Sequence, residues 1–310
     1  MIDKVIMFAI IIAVSFTATK LGWLDDKVRD GLSRFIIKVT APLMIFTSIA
    51  SLEYEKTLVK EAVAIVLIAL AVILFLVAIA KTYVRVAQLD EKTKGVQVAI
   101  MSFGNVAFLA YPLFKAVFGA IGIFYGAFYH VVNDITFWTI GFASIDYKSS
   151  LSKKERYRNI INQNSIAIVL GVVAFFTRFY ISPVIFEPLE ELGKTTVYLS
   201  LAFIGTTMAS VDISKTYKKL SIYVAIIIKM LIVPIVVAFV LTNIYSFGLS
   251  TIAISVVVLQ ISMPVMTIVA ISANEVGGNY KYASEAVFVT TVASLVTMPI
   301  ILRIVHYFLP

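Results

Sequence analysis

The sequence predicts an all-α polytopic membrane protein of ten transmembrane helices, arranged as two inverted five-helix repeats with helices 4 and 9 broken and crossing. Three observations carry this expectation. The 310-residue chain is 60% hydrophobic and only 14% charged, with a mean hydropathy of +0.97, whereas soluble domains carry roughly 25% charged residues. Its apolar stretches approach the length of about 20 residues that a helix needs to cross a hydrocarbon core of about 30 Å. The chain also repeats on itself without a gap at a shift of 159 residues. Ile45 to Thr57 then lies over Ile204 to Thr216 with six of 13 positions identical, where chance gives about one. Val117 falls on Val276, Gly119 on Gly278, and Asn105 on Pro264.

Taken in order, the spans fall at roughly 3–21, 34–53, 58–81, 96–117 and 120–145, then 160–181, 193–212, 218–242, 249–274 and 281–307. The first apolar stretch has a counterpart in the second copy (Val14 over Val173, Phe16 over Phe175) and no small-residue cleavage pattern after Phe16, so it reads as a retained helix and not a signal peptide. Because each copy has an odd number of helices, the second enters the membrane from the opposite side. The repeats therefore cover 1–145 and 160–310, joined by a basic linker over 146–159. The loops after helices 1, 3, 5, 7 and 9 hold 17 Lys and Arg, and the opposite side holds seven. The richer side is expected to be cytoplasmic, which puts the linker in the cytoplasm and both termini outside a cell (plasma) membrane.

The net charge of +8 is explained by this loop bias, so nucleic acid is not an expected partner; the lipid bilayer is. With no cysteine and two histidines, the chain offers no disulfide framework, thiolate metal site or His-rich site. No Walker sequence, nucleotide fingerprint or catalytic triad is present, which argues against an enzyme, a cofactor and an ATP-driven pump within this chain.

Helix 4 reads Met101-Ser102-Phe103-Gly104-Asn105-Val106, and helix 9 reads Gln260-Ile261-Ser262-Met263-Pro264-Val265. Gly, Asn and Pro interrupt the backbone ladder at a depth where lipid offers no substitute partner. Such segments survive inside protein or along a wet cavity, and matching breaks in two repeats point to a transport site. Half-helix N-termini there favour an anion. Ordinary kinks are the bland alternative. Gln260, one turn before Pro264, is a candidate for coordinating substrate or ion.

Lys229 lies near the middle of helix 8, and its repeat partner is Leu70. A charge at that depth costs at least about 2.5–3.5 kcal/mol and suggests a function. Asp134, in His130-Val131-Val132-Asn133-Asp134, reads as the only acid well inside a span. Lys229 and Asp134 are read either as a structural ion pair, or as a substrate counter-ion, or as a proton-coupling switch. Lys115 is expected to snorkel to the interface, and Glu275 and Glu285 to be solvated at helix ends. Gly122 and Gly126 read as a packing face.

The helix 4 string Gly104-Asn105-Val106-Ala107-Phe108-Leu109-Ala110-Tyr111-Pro112-Leu113-Phe114-Lys115-Ala116-Val117-Phe118-Gly119 resembles the auxin efflux carrier family. So does the stretch from Met263-Pro264 to Gly277-Gly278, followed by Ala283-Ser284-Glu285-Ala286-Val287. The resemblance spans essentially the whole chain. It implies a scaffold of helices 1, 2, 6 and 7, a mobile transport domain of helices 3–5 and 8–10, and an elevator-type mechanism with Asn105 and Pro264 at the crossing. Val106 stands where Thr is common, helix 9 lacks a second proline, and the long hydrophilic loop of plant members is absent. A compact prokaryote-type carrier of a small carboxylate is the expectation. The alternatives are a sodium- or proton-coupled transporter of the related bile-acid-symporter architecture, with H+ or Na+ as coupling ion, and a membrane sensor with a vestigial site. A homodimer is among the expected assemblies.

Overall fold

The computed structural model describes residues 2–146, 159–209, 219–244 and 247–308. Positions 147–158 of the basic linker, and 210–218 at the end of the internal repeat, lie outside the described residues. The described chain is helical, with one isolated antiparallel bridge between Gly104 and Val265. In order the helices are α1 (Ile2–Lys20), α2 (Asp26–Phe35), α3 (Ala41–Ala50), α4 (Lys56–Val86), α5 (Glu91–Ser102), α6 (Tyr111–Thr136), α7 (Phe142–Ile145), α8 (Gln163–Thr177), α9 (Pro183–Lys194), α10 (Thr196–Ala209), α11 (Leu220–Ala225), α12 (Val233–Phe239), α13 (Thr251–Ser262), α14 (Ile268–Val276) and α15 (Tyr280–Phe308). Wider, π-helical turns join several of them, including Val106–Ala110 before α6 and Ile226–Ile232 between α11 and α12.

Among the described residues, five helical stretches are long and apolar enough to cross a membrane: Asp26–Ala50, Lys56–Val86, Phe108–Ile145, Leu220–Ile244 and Tyr280–Phe308. The third contains a sharp turn at Gly119, whose φ of 66° suits a residue without a side chain. Ile6–Lys20, Gln163–Thr177 and Thr251–Ser262 are shorter apolar helices. Within the spans expected for helices 4 and 9, α5 and α13 stop after 12 residues each, because the backbone turns extended at Phe103 and Met263. The chain is a polytopic, all-helical membrane protein.

Two compact units divide the chain. The first comprises Met1–Ala62, Val106–Phe128 and Ile161–Val211. In it α1 packs on α10, and α3 packs on α8 and α9. Gly205 makes the α1–α10 contact close: a Cβ there would lie 2.4 Å from the carbonyl oxygen of Ile12, the small-residue logic of helix packing in lipid. Val106–Phe128 belongs to this unit through side chains of three kinds. Phe108 stacks on Phe203 with ring centroids 4.6 Å apart, beside buried Ile36 and Ala41. The Lys115 ammonium, on a half-buried side chain, donates to Ser48 Oγ at 3.0 Å. The Tyr125 hydroxyl donates to Glu61, a carboxylate only 3% exposed.

The second unit comprises Val63–Asn105, Tyr129–Ile160 and Asp212–Pro310. A polar network closes one end of it. Asp90 caps α5 by accepting from the Thr93 N–H at 3.0 Å and the Thr93 hydroxyl at 2.6 Å, and the hydroxyl hydrogen bond holds its carboxyl below the usual range. Thr93 Oγ1 in turn accepts from Asn279 Nδ2 at 2.7 Å. One turn along, Gln97 donates to the Ser221 carbonyl at 2.8 Å and accepts from the Tyr282 hydroxyl at 2.6 Å. Lys219 pairs with Glu285 at 2.5 Å. Glu285 is 7% exposed, so it is a buried ion-pair partner and not the solvated acid that its place near a helix end suggests.

Gly205→Ala inserts a methyl group against backbone, which has no rotamer to escape into. The expected cost is about 1–3 kcal/mol, seen as a lowered melting temperature of the purified chain in detergent.

Candidate functional site

The site grows from two helix breaks within the second unit. Met263 precedes Pro264, and the proline ring disfavours helical geometry in the residue before it; Met263 accordingly sits at φ −60°, ψ 143°. Phe103 is extended at φ −116°, ψ 137°. Backbone groups freed at such depth need partners, and the two breaks supply them to each other. The Asn105 N–H donates to the Pro264 carbonyl at 2.8 Å, and Gly104 bridges Val265. The Val265 N–H donates to Thr290 Oγ1 at 3.1 Å, while the Thr290 hydroxyl donates to the Ala286 carbonyl at 2.7 Å.

The Met263 carbonyl, with the helix ended, is taken by Lys229. Its ammonium donates to that oxygen at 2.5 Å, from a side chain 2% exposed within the Ile226–Ile232 turn. Gly104 leaves the room for this. A Cβ at Gly104 would lie 3.1 Å from Met263 Cβ, 3.3 Å from the Gln260 carbonyl oxygen and 3.5 Å from Lys229 Nζ. Asn105, Pro264, Gln260 and Lys229, picked out separately in the sequence, therefore share one neighbourhood. Asn105, Gln260 and Ser262 are all buried there.

Asp134 has a different partner from the one expected. Among the described residues no ion pair joins it to Lys229; its carboxylate lies 3.2 Å from His130 Nε2, one helical turn earlier on α6. The reason is local, since residues four apart on a helix are neighbours, and Lys229 already has the carbonyl that the break exposes. Glu61 on α4 and Glu285 on α15, both in the first turns of their helices, are more buried than Asp134. Nothing in the sequence pattern singles out Glu61, which lies in the first turns of its helix, or Thr290, whose role depends on a break 25 residues away. Gln97, an amide of the same type as Gln260, is spent on the end network.

A family model described as "Membrane transport protein" matches residues 1–302. The chain belongs to this auxin-efflux-carrier-type membrane transport family. The chain is also similar to a protein of Methanothermobacter thermautotrophicus named as an uncharacterized transporter, with 26% identity over 304 residues and 96% of each chain covered. Membership in the membrane transport family makes the chain a transmembrane transport protein and not an enzyme.

Thr290→Ala leaves the Val265 N–H without its acceptor inside the protein. An unsatisfied buried donor costs about 1–3 kcal/mol, so the melting temperature should fall, and Thr290→Ser should restore most of it.

Proposed function

We propose that this membrane transport protein carries a small organic anion, a carboxylate, as a secondary active or facilitative carrier whose site is the crossing of the two broken helices. The observation that carries this reading is the buried Lys229 ammonium placed against the unwound backbone at Met263. A cation at membrane depth is expensive, and an anionic substrate offsets that cost in a way that a carbonyl dipole only begins to. Asn105 and Gln260 lie beside it as polar groups able to orient a carboxylate.

The finer architecture belongs to the same proposal. Ten crossings form two inverted five-helix repeats, and alternating access is of elevator type, with the broken helices in the moving part. The matching breaks at Phe103–Asn105 and Met263–Pro264, offset by the 159-residue repeat, support it. The protein is placed in the plasma membrane with both termini outside, on the Lys and Arg distribution. A homodimer is its proposed assembly, and no cofactor enters the reading.

Coupling to H+ or Na+ is the second reading, favoured by the pair of buried His130 and half-buried Asp134 at 3.2 Å. A His–carboxylate pair is a chemically suitable place for a proton to be taken up and released.

In proteoliposomes, a panel of small carboxylates should reveal saturable flux that Lys229→Met lowers about tenfold or more, with Asn105→Ala weakening apparent affinity. Carboxylate flux indifferent to both substitutions, or no saturable flux in the wild type, sinks the anion reading. If coupling holds, Asp134→Asn should abolish the response to an imposed pH or sodium gradient while leaving downhill exchange of the same carboxylate measurable.

A further inference from the structure

Within the first unit, a cavity of about 700 Å³ opens where the ends of α3 and α8 meet the start of α9. Its lining holds one acid, Glu53, and one base, Arg178, with Tyr54, Phe179, Tyr180 and Phe186 among its walls. None of these residues belongs to the crossing of the broken helices.

Arg178 is held in place. It ends α8 in the left-handed region at φ 52°, with its N–H on the Ala174 carbonyl. Its guanidinium lies 5.6 Å from the centre of the Tyr54 ring, and that ring is fixed by Phe175 and Phe176 at 5.6 and 5.8 Å. Yet no ion pair joins Arg178 to Glu53 among the described residues. Opposite charges that line one cavity without neutralising each other are complementary to a ligand carrying both signs. The rim adds a second property. Phe179 and Tyr180 of the lining are largely exposed, as are Val184 and Ile185 in the first turn of α9 that follows, and exposed aromatic and aliphatic side chains at helix ends sit well at a membrane interface.

We propose that this cavity binds the phosphoethanolamine headgroup of a membrane phospholipid, with the phosphate on Arg178, the ammonium on Glu53 and the acyl chains along the exposed rim. Arginine's planar fork suits phosphate oxygens, and a carboxylate suits an ammonium. The site is separate from the transport reading, so the failure of either leaves the other standing.

The test is native mass spectrometry of the full chain, purified in detergent and titrated with dioleoyl phosphatidylethanolamine or dioleoyl phosphatidylglycerol. One phosphatidylethanolamine should be retained about tenfold more tightly than phosphatidylglycerol, a difference worth about 1.4 kcal/mol. Glu53→Gln should erase that preference, and Arg178→Ala should weaken retention of both lipids, with Arg178→Lys recovering part of it. Melting temperatures measured alongside keep a folding defect apart from a binding defect, and Glu53→Gln, on an exposed residue, carries the test if Arg178→Ala does not fold. Equal retention of the two lipids by the wild type, or unchanged retention in both variants, overturns the proposal. So does displacement of the lipid by soluble phosphoethanolamine at equal concentration, because the acyl chains would then contribute nothing.

Discussion

A backbone that leaves the helix inside a bilayer must find its hydrogen bonds within the protein, and that constraint organises the second unit. At the crossing, each partner of a freed group comes from a different stretch of chain. The Asn105 N–H reaches across to Pro264, Val265 reaches Thr290 on α15, and Met263 receives Lys229 from the Ile226–Ile232 turn. The two breaks therefore cannot be understood singly. Removing a helix that donates a partner would leave the other breaks short of one.

The same unit treats its other polar residues differently. Asp90, Thr93, Asn279, Gln97, Ser221, Tyr282, Lys219 and Glu285 interlock at one end, carboxylate against ammonium and amide against hydroxyl. A network satisfied in this way rigidifies the elements it joins. Lys229 differs in kind, because a backbone carbonyl accepts its hydrogen bond without cancelling its charge. Charge left uncancelled at the crossing, set against ion pairing at the end, is the chemical difference between the two clusters.

The helical, polytopic character of the fold is legible in the sequence because hydropathy speaks over long stretches. The breaks were legible too: Gly104-Asn105 and Met263-Pro264 announce themselves inside apolar runs, and a lone lysine at position 229 stands out against isoleucines. Pairing was harder to read. Similar depth in the sequence suggests matching Asp134 to Lys229, although His130, four residues back on the same helix, is the nearer physical partner. The place of Glu285 near a helix end suggests water, whereas Lys219 sets its surroundings; Glu61 and Lys115 likewise take their partners, Tyr125 and Ser48, from distant stretches of chain. No periodicity in a single chain reports such partners.

The bond between Lys229 and the Met263 carbonyl has an electrical consequence. If the site moves through the membrane field as a carrier, an empty site with a charged lysine moves as a monovalent cation, and one holding a monocarboxylate moves as a neutral body. Moving one elementary charge across the full field is worth about 2.3 kcal/mol per 100 mV. Membrane voltage would then act on the return of the vacant carrier and leave the loaded step untouched, so that the lysine sets which half of the cycle the cell's potential drives.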